Sequence, residues 1–461
     1  MTQEQKSQSE SLAEKEYKEV KVENAAQLLQ ESTAKLIKFG GFKVLESAIK
    51  GVQNLNPESK ARKKIFLTDA SKKAERETLK ETLKLWLGII TESDTVPDMI
   101  NKSQEKADLA QKTLKRNLKK SLEATRALEE SYRSVALFYK NAEEDKLKNI
   151  TILNADLEQL KDLDNPVFID IVAEELKANF DRLDLRDSYS LLVVPGYLGS
   201  NMVVEKWAKV AHTNKVMLVT DFENLENSDG VLDFFQAANL TGGDGYRANV
   251  MMACNWLVGR GKDTAVDEEE DVYVPPSSAL AGRVYSTLMS QVTAGKKHGG
   301  LSEVDGVRFP LKKSELTNLE KIGLVPMVNE YGKVMAFSAK TLFNGDNLGL
   351  QTYSVVRVFD YVMKVLMDFL NRRAFENFTV NTKRDLQSQI EKFLDNITGP
   401  SNLIEKFKIM RFEQDPKQKD RIFLDIHMTP YFPAKNFLIK LDGQKGDDPD
   451  SAEWNSECQQ Q

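Results

Sequence analysis

Cysteine and histidine are scarce in this chain. Two cysteines among 461 residues, Cys254 and Cys458, exclude a disulfide framework. The three histidines, His212, His298 and His427, lie far apart and lack metal-ligand spacing, which argues against a histidine-based metal or catalytic centre. Long hydrophobic runs are also missing, so no membrane-spanning helix is expected. The first residues, Met1-Thr-Gln-Glu-Gln-Lys, are polar and acid-bearing, unlike a secretory signal. Nor does one sign of charge dominate. The 64 basic and 70 acidic residues leave a net charge of -6, which offers no general basic field to nucleic acid. The expectation is a cytoplasmic protein without membrane insertion.

Catalytic signatures are absent as well. The nearest imitation of a phosphate loop is Gly259-Arg-Gly-Lys-Asp-Thr264. Trp256 stands where the first glycine of G-x-x-x-x-G-K-S/T belongs, and Asp263 where the magnesium-holding hydroxyl belongs. Gly242-Gly-Asp-Gly245 reads as a turn. No nucleophile elbow and no H-E-x-x-H pair occurs. The acidic run Asp267–Asp271 lacks the alternate spacing of a calcium loop and reads as a solvated loop. Cys254 sits in an apolar strand as a small core residue, and Cys458 lies in a polar tail. No cofactor or metal is expected. A large chain with long helices, strand edges and no catalytic constellation suggests an interaction protein.

What is present is an α/β pattern with a helical N-terminal region. A polar leader precedes a helix from Asn24 carrying Leu28, Leu29, Leu36 and Ile37, which Gly40-Gly41 ends. A second helix carries Val44, Leu45, Ile49 and Val52. From Asp69 a helix places Leu79, Leu83, Trp86 and Ile90 on one stripe. A long helix from Pro97 to Lys146 carries Leu114, Leu118, Leu122, Leu128, Tyr132, Val135 and Tyr139, with a charged face opposite that reads as solvated.

After residue 150 the pattern changes. Ile150–Leu153 is a short strand candidate, followed by a helix at Pro166–Arg182. Leu191–Val194, Val216–Val219 and Arg247–Cys254 are compact apolar runs, the mark of buried strands in an α/β sheet. A loop is expected over 259–283 and a further strand at Val334–Phe337. The helix at 351–373 has so broad an apolar arc that burial on more than one side is expected. A helix at 382–396 and a short helix or strand at 401–413 follow.

The chain then shows two alternating strands, Arg421–Met428 and Asn436–Leu441, joined by Thr429-Pro-Tyr-Phe-Pro-Ala-Lys435. Ile422, Leu424, Ile426 and Met428 share one face of the first, and Phe437, Ile439 and Leu441 one face of the second. Read locally, this is a hairpin. It closes its own domain or offers its edge to another subunit. The divisions expected are 1–95 (helical), 96–160 (long helix and connection), 161–350 (α/β), 351–443 (C-terminal domain with the hairpin) and 444–461 (polar tail).

Several segments, in order, resemble the large subunit of the contractile sheath of bacterial type VI secretion systems, the TssC/VipB family. Leu128-Glu-Glu-Ser-Tyr-Arg-Ser-Val135 is similar to the family's L-E-x-x-W-R-G-L helix, with Tyr132 for tryptophan and Ser134 for glycine. Lys148–Asn154 with Asp156–Leu160 resembles its next strand and helix, and Val167–Leu192 the helix leading into its G-L-L-I-G-D strand. Asn249–Leu257 lies where the family has R-Y-x-x-L-x-L-P-R, without the P-R pair. Gly300–Val307 and Asn318–Pro326 resemble later elements. Gln351–Tyr361 resembles L-Q-Y-x-x-x-x-x-R-x-x-H-Y, with Asp360 for histidine. The resemblance spans roughly 110–443, and its departures suggest a divergent branch such as that of the Bacteroidota.

The resemblance implies a structural subunit that pairs with a small sheath protein (TssB/VipA-like). The pairs stack as six-membered rings on a baseplate around a tube of Hcp and contract to drive that tube outward. It implies that the terminal hairpin links neighbouring subunits into a shared sheet, and this favours the inter-subunit placement. It implies that a helix at Ser401–Lys408, with Glu405, Lys406 and Lys408, faces the tube. It also implies that an N-terminal helix, here the one with Leu28, Leu29, Leu36 and Ile37, is gripped by the AAA+ unfoldase ClpV. Alternatives are a sheath of another contractile injection system or phage-like tail, and a nucleotide-binding α/β enzyme using the 242–264 loops.

Overall fold

A computed structural model describes residues 66, 68–143, 147–435, 437–443 and 454–459; of residues 89, 90, 442, 443 and 454–459 it describes the backbone alone. The expected helices before residue 66 lie outside the described residues. The chain divides into two compact units, residues 1–120 and 121–461.

In the first unit, Asp69 accepts a hydrogen bond from the Ser71 backbone at 2.9 Å and starts a 3-10 turn that leads into α1 (Lys73–Glu92). Leu79, Leu83 and Trp86 form the predicted stripe and are exposed. The first half of α2 (Val96–Asn141) follows, with Leu109, Leu114 and Leu118 also exposed.

The second unit begins within α2. It continues through α3 (Leu157–Lys161), α4 (Val167–Phe180), β1 (Leu191–Tyr197), α5 (Asn201–Thr213), β2 (Met217–Asp221), α6 (Ser228–Ala238), β3 (Val250–Cys254), β4 (Leu257–Arg260), β5 (Val272–Val274) and α7 (Pro276–Ser286). Then come α8 (Gly295–His298), β6 (Gly306–Val307), α9 (Lys313–Lys321), β7 (Leu324–Glu330), β8 (Lys333–Ala336), α10 (Tyr353–Arg372), α11 (Val380–Asn396), β9 (Ile404–Gln414), β10 (Ile422–Pro430), β11 (Leu438–Gly443) and β12 (Trp454–Gln459). The class is α/β, with N-terminal helices, a mixed sheet and a C-terminal strand hairpin.

The main sheet has the order β1-β2-β3-β7-β8. Its first four strands are parallel, and β8 returns antiparallel to β7. That return is a two-residue turn with Tyr331 at φ 55° and Gly332 at φ 73°, the left-handed pair a tight hairpin of the twisted sense requires. Helices cover both faces, which is why the strands read as unbroken apolar runs. Leu218, Val250, Met252, Cys254 and Leu324 face a core with Ile169 and Val172 of α4, Trp207 of α5, Phe235 of α6 and Leu319 of α9. Met217, Val219, Met251, Ala253, Val325 and Met327 face α7, Leu137 of α2 and Tyr353 of α10. A third core joins Val358 and Val362 of α10 to Leu386, Ile390 and Leu394 of α11 and to Ile404 and Phe412 of β9.

Several expectations need correction. Ile150–Leu153 forms no ladder and no regular element, and Thr151 Oγ1 lies 2.6 Å from Tyr189 Oη. The 259–283 loop contains β5 and most of α7. Residues 404–414 are a strand, so Lys406 and Lys408 lie on β9 and no helix occupies 401–408. The two terminal strands do not pair with each other. β10 pairs antiparallel with β9, Met428 opposite Phe407 and Leu424 opposite Phe412, with a bulge between Asp425 and Ile426. β11 pairs with β12 inside the expected polar tail, Leu438 opposite Gln459.

Candidate assembly surfaces

The charged face of α2 does not simply meet water. Within the second unit, Arg126, Glu129 and Arg133 seat the helix on the body. Arg133 donates to the Gly259 carbonyl at 2.9 Å, and Arg126 to the Asp271 carbonyl. Arg260 of β4 reaches Glu129 at 2.9 Å and grips both oxygens of Glu268 at 2.7 and 2.9 Å. The Arg260 hydrogen bonds push the Glu268 carboxyl down to about 2. The acidic run is thus partly built into the fold through Glu268 and Asp271.

At 100° per residue, Ser134, Leu137 and Asn141 form the buried side of α2, and the apolar residues Leu128, Tyr132 and Val135 lie opposite. Leu128 and Tyr132 are each 71% exposed. Most of the expected apolar stripe, Leu114, Leu118, Leu128, Tyr132 and Val135, is therefore exposed. Beside Leu137, polar groups make the inner contact: Ser134 and Ser278 of α7 share a hydrogen bond of 2.7 Å, and Asn141 accepts from the Ser302 backbone at 2.8 Å.

In α10 the burial pattern runs against polarity. The first turns, Tyr353–Val358, are buried on all sides, as the broad arc predicts. Beyond them the polar residues face inward. Asp360 accepts from Asn249 Nδ2 at 2.7 Å, Lys364 donates to the Tyr189 carbonyl at 2.6 Å, Asp368 accepts from the Leu185 backbone at 2.9 Å, and Asn371 donates to the Leu183 carbonyl at 3.2 Å. Burial raises the Asp360 carboxyl and lowers the Lys364 amine to about 8. Phe359, Met363 and Met367, spaced by four, are left exposed.

The terminal strands differ from one another in the same terms. Leu424, Ile426 and Met428 of β10 pack on the α10–α11 core, while Ile422 is exposed. Phe437, Leu438, Ile439 and Leu441 are all exposed by half or more, so β11 shows apolar side chains on both faces. Among the described residues β11 has one ladder partner, β12, and its other edge carries none. On β9, Glu405, Lys406 and Lys408 are exposed, and Phe407 and Ile409 between and beyond them pack inward. Leu28, Leu29, Leu36 and Ile37 lie outside the described residues.

The supposed nucleotide loops are otherwise occupied. Arg247 packs against Gly242, donating to the Leu240 carbonyl and to Asn201 at 3.1 Å. The cleft beside the 259–264 loop is lined by Glu226, Glu269, Glu270 and Asp271 with Lys262 and Arg308, a mostly acidic wall that repels phosphate. Among the described residues no three His, Cys, Asp or Glu side chains are grouped to hold a metal. His212 Nδ1 lies 2.8 Å from Asn249 Oδ1, His298 is held below its usual range by burial, and Cys254 is buried with its thiol pushed far up.

Three family models match the chain in succession: the TssC/VipB-like N-terminal region over residues 29–118, the type VI secretion system TssC/VipB central domain over 120–344, and the TssC/VipB-like C-terminal domain over 352–460. The chain belongs to the TssC/VipB family. It is a large subunit of a contractile sheath, and the family is structural rather than enzymatic. Among solved structures, it is similar to a chain of the anti-feeding prophage baseplate, with 16% identity, 68% of this chain and 80% of that chain covered, and a TM-score of 0.47. It is likewise similar to the contracted helical sheath of that prophage (17% identity, 68% and 81% covered, TM-score 0.46). A third is the contracted PVC sheath complex of an extracellular contractile injection system (15% identity, 68% and 80% covered, TM-score 0.46). No curated protein matches the sequence. Among the described residues no helix is long and apolar enough to cross a membrane.

Proposed function

We propose that this TssC/VipB chain works in the bacterial cytoplasm. There it pairs with a small TssB/VipA-like subunit, stacks with copies of itself in six-membered rings on a baseplate, and contracts around an Hcp tube to drive it outward. The observation that carries the proposal is β11. A two-stranded ribbon with apolar side chains on both faces of β11, and with no ladder partner for it beyond β12 among the described residues, is marginal in water, and in this reading strands from another subunit complete it. In this reading Phe437, Ile439 and Leu441 do the linking. Of the first strand's residues, Ile422 is exposed, while Leu424, Ile426 and Met428 hold β10 on its own domain.

The outward stripe of α2 fits burial against the small subunit, which predicts poor solubility for the chain alone. Glu405, Lys406 and Lys408 offer exposed charge for complementarity with the tube. The segment with Leu28, Leu29, Leu36 and Ile37 is the handle for the ClpV unfoldase. Co-expression with the small subunit, followed by electron microscopy, tests the proposal. Tubes or cogwheel rings are expected; a stable, monodisperse monomer by light scattering that ignores the small subunit would overturn it.

A further inference from the structure

The first turns of α10 carry a buried arginine that no acid pairs with. Arg357 is 7% exposed, and among the described residues the Tyr353 phenol is the one titratable group whose charge acts on it. One of its N–H groups donates to the Val284 carbonyl, in the last turn of α7, at 3.3 Å. Its Nε is buried without a hydrogen-bond partner. Burial pushes the guanidinium down to about 10, so it stays charged at neutral pH.

Two hydroxyls near it are in the same condition. Ser354 Oγ and Thr293 Oγ1 are buried and have no hydrogen-bond partner. Ser354 stands three positions before Arg357, on the same side of α10. The Tyr353 hydroxyl accepts from the Thr293 backbone at 2.8 Å, and Thr293 Oγ1 sits beside that hydroxyl outside hydrogen-bonding geometry.

The last turn of α7, the connection through Thr293 and the first turns of α10 thus enclose one guanidinium and three hydroxyls. Buried polar groups are as a rule paired, and an uncompensated buried charge is strongly destabilising. The Val284 carbonyl is a neutral partner for one N–H and leaves the charge unanswered. Hydroxyls donate or accept as required, but a guanidinium only donates. What completes such a cluster is a compact acceptor that carries negative charge.

We propose that Arg357, Ser354, Thr293 and Tyr353 form a buried site for a small inorganic anion of the size of chloride. The ion ties α7 to α10 where α10 leaves the main-sheet core, which holds Tyr353 and Val356, for the core shared with α11, which holds Val358 and Val362.

Thermal unfolding of the full chain, co-purified with the small subunit where that keeps it in solution, tests the site. Sodium chloride is exchanged for sodium gluconate at constant ionic strength. The wild type is expected to gain stability in chloride, by up to about tenfold in the folding equilibrium for each tenfold rise in chloride above its dissociation constant. Arg357→Met should remove that dependence. Thr293→Val and Ser354→Ala should weaken it. Without an anion, deleting an unpaired buried hydroxyl is neutral or stabilising in both salts alike.

A wild type equally stable in the two salts would overturn the site, and so would a chloride dependence that Arg357→Met retains. If Arg357→Met fails to fold, the hydroxyl variants decide. A wild-type chloride response in both Thr293→Val and Ser354→Ala places the anion elsewhere, and a reduced response in either supports it here.

Discussion

Gly282 of α7 lies directly against the Phe138 carbonyl of α2: a methyl group at Gly282 would overlap that oxygen and come within 3.1 Å of the Ala142 backbone nitrogen. The Phe138 oxygen cannot move without bending α2, and the Ala142 nitrogen donates to that same oxygen at 2.9 Å. Gly282→Ala is therefore expected to cost about 1–3 kcal/mol through overpacking, despite alanine's better helix propensity. Chemical denaturation of the variant measures this. A neutral or stabilising result would mean that the two helices separate at little cost.

Asp221 ties three elements together. Its carboxylate, at the end of β2, accepts from the Gly196 backbone at 2.8 Å, from the Ser277 backbone at 2.7 Å and from Ser277 Oγ at 2.6 Å. It thereby joins the end of β1 to the first turn of α7. Burial dominates over these bonds and raises its pKa from 3.8 to about 7. Because the folded value lies above the unfolded one, the contribution of this group is fully present below about pH 4 and is lost as pH rises through about 7. Asp221→Asn removes that titration. The stability difference between wild type and variant should shift in favour of the variant from pH 4 to 7, measured by thermal unfolding across that range. A difference that is flat with pH would show that the carboxyl does not titrate there.

The parallel strands were legible because burial on both faces leaves Leu191–Val194, Val216–Val219 and Val250–Cys254 with hardly a polar residue. The terminal hairpin was legible as strands but not as pairs. Alternation in 422–428 and 437–441 says which side chains share a face, and it does not choose the partner strand. The true partner of β10, residues 404–414, mixes Phe407, Ile409 and Phe412 with Glu405, Lys406, Lys408 and Arg411, and a bulge breaks its period. The partner of β11, Trp454-Asn-Ser-Glu-Cys-Gln459, has almost no apolar alternation at all.

The stripe on α2 shows a different limit. Periodicity finds an amphipathic helix, but it cannot say whether the apolar side meets the same chain or another. Here Leu137, Ser134, Ser278 and Gly282 make the inner contact, and Leu128 and Tyr132 are left outside. Small residues facing each other on two helices are the signal a reader of the sequence would need. An ion pair such as that of Glu320 with Lys435, 115 positions apart, leaves no local trace.

The charges on β9 separate fold from assembly. Lys406 and Lys408 alternate with Phe407 and Ile409, which pack on the α10–α11 core, and Glu405 lies beside the irregularity at Thr429 and Pro430. Reversing all three, with Glu405→Lys, Lys406→Glu and Lys408→Glu, should leave stability within about 0.5 kcal/mol, as for exposed surface positions. Assembly templated on purified tube should slow. Templated assembly at the normal rate would remove the tube-facing role from this strand.

Two proline substitutions distinguish holding from linking. Ile426 stands opposite Ile409 in the β9–β10 ladder and packs on the core of its own domain. Ile426→Pro should therefore cost about 3 kcal/mol or more and loosen the α10–α11 domain before any assembly begins. That makes it a poor probe of linking, although its strand alternates as clearly as any in the chain. Ile439 is 50% exposed on β11, opposite Cys458, and the described residues show no core beneath it. Ile439→Pro removes a backbone donor from a strand that contributes little to the body, so unfolding of the chain should be nearly unchanged. If β11 is completed by a neighbour, the variant pairs with the small subunit but forms no tubes, since the strand can no longer present an unbroken edge. Circular dichroism and electron microscopy on the two variants decide the matter. Normal tubes from the Ile439 variant, with tubes lost only where the Ile426 variant is unfolded, would place the link between rings elsewhere on the chain.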